Sequence, residues 1–394
     1  MDYSHRRVFA WVAAACTVFI ASTSFAANLN VCMVSCVYKT VQSAVDAAVE
    51  GDTVRIYPGR YVGNITTAGK ELTFTGTSQA ASEVLLVGTG VGPVFTLGGG
   101  SIGTSPHAIF ISYVTVTGGS HFQGTGEGGG IQVRQGAVLI LSNANVIGNT
   151  AAAGGGISVD TPGTADYSLI QSSCVISSNT AYVGGGVYVA PNSNARIENQ
   201  CVVTENSATG NPGPITPGLG GGIYAGTGSQ LTLSQVNIAY NFVTAPCGGG
   251  VTGVPGCVAA GGGAYVLGQL TMIEDQITQN NVYNASGASL GGGLYVNVSP
   301  TQLIQDSVIA SNSVYSIAEA GSGGGVYAAS TDATVSWTLD RDFIVLNTAG
   351  DANQPVHPSA GGVQNVGKLS LINGSSIAGN VPVQCLGGKG CPAN

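Results

Sequence analysis

The sequence predicts an all-β solenoid entered through one short N-terminal helix, on three observations. Eight times a glycine cluster is followed by a strand-like run and then by [Val/Ile]-x-x-Asn. The clusters open at Gly128, Gly154, Gly184, Gly220, Gly261, Gly291, Gly323 and Gly361, and the units close at Asn149, Asn179, Asn206, Asn241, Asn280, Asn312, Asn347 and Asn380. Within each unit the apolar residues alternate with a period of two, the mark of strands with one buried face. Finally, 62 glycines and a charged fraction of only 8% describe a packed, turn-rich β protein rather than a disordered one. A recurrence of this kind is the signature of repeats that bury their apolar side only by stacking on their neighbours.

In chain order, residues 1–26 read as an export signal. Arg6 and Arg7 precede an apolar stretch from Val8 to Ile20, and Ser24-Phe25-Ala26 places small residues before a cleavage point after Ala26. The stretch is short for a membrane anchor, and Cys16 lacks the sequence context of a lipidated cysteine. Residues 27–394 form one domain, with a cap at 27–65, irregular first turns at 66–127, the repeats at 128–380 and a cysteine-containing tail at 381–394. Between Tyr38 and Glu50, Val41, Ala44, Val45, Ala48 and Val49 line one side of an amphipathic helix, which Gly51-Asp52 ends. That helix is expected to cover the open end of the solenoid, where strand edges would otherwise lie bare. Strand-like runs follow at Leu72–Thr75, Val84–Val87, Val94–Leu97 and Ile109–Thr117.

The unit from Gly220 to Asn241 shows how one repeat works. Ile223 and Ala225 point inward and Tyr224 outward; Leu231 and Leu233 point inward; Ser234-Gln235 bend; Val236 and Ile238 point inward again. Three short strands per turn result. The glycines admit crowded or left-handed backbone, the asparagines are expected to tolerate left-handed backbone at the turn, and their amides are expected to bond up the stack as a structural ladder.

Eight cysteines follow the signal, an even number suited to an oxidising compartment. They form local couples Cys32–Cys36, Cys247–Cys257 and Cys385–Cys391. Cys174 and Cys201 occupy one position of successive repeats, at a strand spacing of about 4.8 Å that suits a disulfide. A formal charge of −8 with 11 Lys and Arg excludes a nucleic-acid surface, which needs clustered cations.

The segment TVQSAVDAAVEGDTVRIYPGRYVGNI, within Tyr38 to Ile65, resembles the N-terminal cap of the pectin-lyase-like right-handed parallel β-helix superfamily, and the GG[GA][ILV] and [VI]xxN repeats resemble those of the polymorphic outer membrane protein family. The resemblance implies a right-handed parallel β-helix, a fold that hosts enzymes, adhesins and passive scaffolds alike. The chain departs from both. After Asn380 it has fourteen residues and no series of strands for an autotransporter barrel, so a soluble mature protein is expected. The catalytic motifs of pectinesterases and polygalacturonases have no counterpart; Asp342-Phe343-Ile344 is a chance likeness.

Three features are candidates for function. Tyr188, Tyr224, Tyr265, Tyr295 and Tyr327 share one outward position of adjacent repeats, continued by Gln132, Ser158 and Gln364. Such a stripe suits sugars or protein partners, although aromatics also pair across strands for stability alone. The long connections 207–219, 242–260, 282–290, 313–322 and 348–360 contrast with the short Thr150–Ala153 and Thr180–Val183 and would rim the stripe. Glu274, Asp275, Asp306, Asp340 and Asp342 share one bend with Arg341, at spacings that suit a glycosidase pair or a Ca²⁺ site at Glu274, Asp275, Asp306 and Asp342. The simpler expectation is a solvated acidic bend with Arg341 as counter-ion. Arg134 is expected to pair with Asp160 of the next repeat, and no nucleophilic triad is evident.

The reading is therefore an exported β-helix scaffold, adhesin-like and non-catalytic, that binds glycans or a cell-surface partner. It needs no cofactor. The alternative is a secreted lyase or glycoside hydrolase acting on pectin-like or other acidic polysaccharide through the acidic bend, with Ca²⁺.

Overall fold

The computed structural model describes residues 26–98, 107–123, 126–163, 167–211, 216–245, 258–285, 287–297, 302–317, 321–329, 336–351, 359–365, 367–387 and 389–391. The stretch up to residue 25, expected to belong to an export signal, and the expected Cys247–Cys257 couple lie outside these residues. The chain is a parallel β-helix. Four sheets of 12, 11, 11 and 12 strands run along it. One turn passes through sheet C (Ile223–Ala225), sheet A (Gln230–Ser234), sheet B (Asn237–Ala239) and sheet D (Phe242–Thr244, then Val258–Ala260) before the next glycine cluster.

The expected three strands per turn thus become four. The short connection Thr180–Val183 is a single strand that pairs with both Ser207–Ala208 and Gly218–Leu219. In later turns the same strand is split by an insertion, and its halves keep their register in sheet D. Ala208, Val243, Ala259, Val282, Val314 and Ala349 fill a separate apolar seam in these turns. That seam is why the connections are ordered strands at their roots rather than free loops. The middles of these connections lie outside the described residues.

The main core follows the predicted alternation. Ile223, Ala225, Leu231, Leu233, Val236 and Ile238 are all buried, while Tyr224 faces outward. Residues of one column stack in register, as Ile223 does on Val187 below and Ala264 above. Among the described residues, strands of the turns before the repeats join the same sheets despite lacking the glycine signature. Thr73–Gly76, Val84–Val87 and Phe95–Leu97 join sheets A, B and C, and Phe74 meets Phe95 edge-on at 5.2 Å.

The glycine cluster answers two demands. Gly220 has φ +67°, the left-handed region. A Cβ on Gly221 would lie 2.5 Å from the Gly262 carbonyl oxygen, and one on Gly222 would lie 2.6 Å from that of Gly263. The asparagines, in contrast to expectation, are not the left-handed residues. The residue before each is: Ser178, Glu205, Tyr240, Gln279, Ser311 and Leu346 all have φ of 55–58°. This frees each asparagine side chain to turn inward. Asn241 Oδ1 accepts from the backbone N–H and the Nδ2 of Asn206, both at 3.0 Å, while its Nδ2 donates to Asn280 Oδ1 at 2.9 Å. The same pattern links Asn149 to Asn179 and Asn347 to Asn380.

At the N-terminal end a helix spans Val41–Ala47. Thr40 Oγ1 accepts from the Ser43 N–H at its start, and Lys70 Nζ donates to the Val45 and Ala48 carbonyls at its end. Val41, Ala44 and Val45 are its buried side. Disulfides join Cys32–Cys36, Cys174–Cys201 and Cys385–Cys391, the second linking neighbouring rungs with Cα atoms 4.5 Å apart. Among the described residues no helix is long and apolar enough to cross a membrane.

Candidate functional site

The strands after the glycine clusters bring the five tyrosines into one column. Tyr188 pairs with Tyr224, Tyr224 with Tyr265, Tyr265 with Tyr295 and Tyr295 with Tyr327 in parallel register. Ring centroids are 5.2, 5.6, 4.3 and 5.4 Å apart with planes within 13°. Parallel rings this close cover one another's faces and admit no third ring between them. The column therefore offers ring edges and a row of hydroxyls, with free faces only at its ends. All five are half-buried although they point outward. Burial pushes their phenols up, so the hydroxyls stay protonated donors. Beside them runs a second registered column, Val183, Leu219, Ala260 and Leu290, each residue immediately before a left-handed glycine.

The column ends in polar residues. Gln132 and Ser158 precede Tyr188 in register, and Gln364 follows Tyr327. Arg134 is a register neighbour of Asp160, but the expected ion pair does not form; its Nε donates to Gln132 Oε1 at 3.0 Å. One residue was missed by sequence reasoning. Glu127, directly before the first glycine cluster, shares this end with Asp160 and Arg134. Burial first and Asp160 second push its carboxyl up, with Arg134 opposing. Only its place ahead of Gly128 could have drawn attention to it.

The acidic bend is only in part the solvated cluster expected: Arg341 is its counter-ion, but two of its carboxyls are buried. It divides by one residue of offset. Glu274, Asp306 and Arg341 are the left-handed residues, at φ 59°, 51° and 61°, and face solvent. Arg341 forks onto both oxygens of Asp306 and reaches Asp340 at 3.2 Å, and Gln235 donates to Glu274 at 2.8 Å. The arginine's hydrogen bonds hold the Asp306 carboxyl below its usual range. Asp275 and Asp342, the next residues along, are each 1% exposed. Asp275 accepts the Val236 and Ile273 N–H groups; Asp342 accepts those of Ser307 and Asp340. Ser307 lies between them in the stack and accepts the Asp275 N–H. These carboxyls therefore staple one rung to the next. Among the described residues no three of His, Cys, Asp and Glu converge as metal ligands, so the Ca²⁺ set at Glu274, Asp275, Asp306 and Asp342 is not assembled. The glycosidase set is likewise divided between inner staples and an outer ion pair.

Fold and site together describe a parallel β-helix with an outward tyrosine spine. Residues 98–243 match the family model for a right handed beta helix region. The resemblance to the pectin-lyase-like superfamily is thus met at the level of fold. Two solved forms of the pectin methylesterase from Aspergillus niger, penultimately deglycosylated and deglycosylated, align with 86% of this chain and 89% of theirs at 14% identity, with TM-scores of 0.36 and 0.34. Similarity of that size does not bear on activity. No curated protein matches the sequence.

Proposed function

We propose that this chain is an exported, non-catalytic scaffold whose tyrosine column holds an extended glycan lying along the solenoid axis. The carrying observation is the unbroken register from Tyr188 to Tyr327, which repeats a phenol hydroxyl at every rung, about 4.8 Å apart. A linear polymer can meet such a row with one hydrogen bond per sugar, while its apolar edges lie on the flanking Val183, Leu219 and Leu290 column. Three disulfides support an oxidising destination. The helix Val41–Ala47, packed on the first strands, is read as the cap of the N-terminal end.

The reading is supported further by the state of the acidic bend, where Asp275 and Asp342 hold backbone N–H groups, Asp306 and Asp340 meet Arg341, and Glu274 accepts from Gln235. The alternative, a secreted polysaccharide lyase or glycoside hydrolase, draws on one observation, the raised Glu127 beside Asp160. A glycan array probed with the protein and with a Tyr265→Ala/Tyr295→Ala variant tests the binding reading, which expects loss of signal in the variant. Incubation with pectin and alginate, with and without Ca²⁺, tests the other; unsaturated or new reducing ends would overturn a non-catalytic role.

A further inference from the structure

We infer that the glycan held along the tyrosine column carries no carboxylates, so that this face takes neutral or amino-bearing sugars and rejects uronate polymers. The inference rests on the glycan reading above and adds the chemistry of the ligand.

Its first ground is the distribution of charge along the chain. Between Arg196 and Arg341 the sequence has no Lys, Arg or His; of the described acids there, Glu198 pairs with Arg196, and Asp306 and Asp340 with Arg341, which leaves Glu205 and Glu274 as exposed carboxylates without an arginine partner. That stretch supplies Tyr224, Tyr265, Tyr295 and Tyr327. The second ground is local. Among the described strands of sheets C and D the one Lys or Arg is Arg134, which lies on the Gln132 rung, two rungs before Tyr188. Third, the Tyr188 end of the column lies in the field of Glu127 and Asp160, both of which act on the Tyr188 hydroxyl in the sense expected of negative charge.

A uronate chain in register with the column would bring a carboxylate to every rung. The tyrosine hydroxyls can donate hydrogen bonds to it, Tyr265 being already engaged with the Tyr295 hydroxyl, but none neutralises it. Along the rungs from Tyr224 to Tyr327 the carboxylates would be partly desolvated against an aliphatic and aromatic face whose described strands carry no Lys or Arg, which is costly. The acidic surround adds repulsion at longer range. A neutral sugar meets neither penalty, and an ammonium group gains at the Glu127 and Asp160 end.

The test is titration calorimetry of the whole protein with length-matched cello-, chitosan- and galacturonate oligosaccharides at low and at physiological salt. The neutral and amino oligomers are expected to bind at least about tenfold more tightly than the uronate. Added salt should raise uronate affinity and lower that of the amino oligomer. Uronate binding as tight as, or tighter than, the neutral oligomer overturns the inference while leaving a glycan site in place. Binding of none of the three overturns both the inference and the glycan reading. In a Glu127→Gln/Asp160→Asn variant, uronate affinity should rise severalfold and amino-oligomer affinity fall; no change in either contradicts the charge argument.

Discussion

The phenol rings of Tyr265 and Tyr295 lie parallel within 13° and 4.3 Å apart, the tightest step in the column from Tyr188 to Tyr327. Such a pair contributes roughly 0.5–1.5 kcal/mol beyond the area it buries. Tyr295 also stacks on Tyr327. Tyr295→Ala, which breaks both contacts, should therefore lower the unfolding free energy by about 1–3 kcal/mol. Denaturant melts check this, and an unchanged midpoint would mean the rings only happen to be aligned.

The asparagine spine should cost more to interrupt. Asn241 is 1% exposed and engages the backbone and side chain of Asn206, two carbonyls and Asn280. Asn241→Ala leaves several buried donors and acceptors without partners, each costing about 1–3 kcal/mol. A loss of about 3 kcal/mol or more is expected, with ligand affinity preserved in the folded fraction.

The buried carboxyls of the bend predict a pH dependence. Burial pushes Asp275 up to about 7 and Asp342 up to about 6, while their backbone hydrogen bonds pull the other way and lose. Both values lie above that of an unfolded carboxyl, about 4. Groups shifted in this direction favour the fold fully below the unfolded value, and the contribution disappears as pH rises through about 6 to 7. Comparing unfolding free energies at pH 4.5 and 8, Asp275→Asn should show a smaller fall with pH than the parent, by about 2 kcal/mol. An identical pH profile for the two proteins would contradict it.

Cys174 and Cys201 tie successive rungs and are at most 1% exposed. Replacing both with serine should cost about 3 kcal/mol. Reduction of the native protein should be slower at this pair than at Cys32–Cys36, which lies on a loop with the exposed Met33 and Val34. Mass spectrometry of alkylated thiols over time follows the order of opening.

What the sequence made legible was whatever the stacking forces to recur. Gly221 and Gly222 have no room for a side chain, and Asn241 must face its copies above and below, so both were visible as period. The fourth sheet was not, because strands such as Ser207–Ala208 and Gly218–Leu219 are too short for an apolar rhythm and are held by pairing with the turns on either side. The tyrosines could be placed on one column, yet their face-to-face packing depends on side-chain torsions that spacing does not reveal. The acidic bend was misread for a geometric reason. The left-handed residue at Glu274, Asp306 and Arg341 bends the chain between two strands, and the residue immediately after it turns inward. Adjacent acids such as Glu274 and Asp275 look alike in sequence and end on opposite sides of the wall.

The central claim is that the row of tyrosine hydroxyls is a binding surface as well as a stacking device. A Tyr224→Phe/Tyr265→Phe/Tyr295→Phe variant keeps the rings and removes three donors. Titration of this variant beside the parent, against a neutral oligosaccharide that the parent binds, is the direct measurement. The account predicts affinity lower by about tenfold or more, with stability reduced by no more than the one Tyr265–Tyr295 hydroxyl contact, about 1 kcal/mol. Equal affinity at equal stability would contradict it, leaving the column as structure alone.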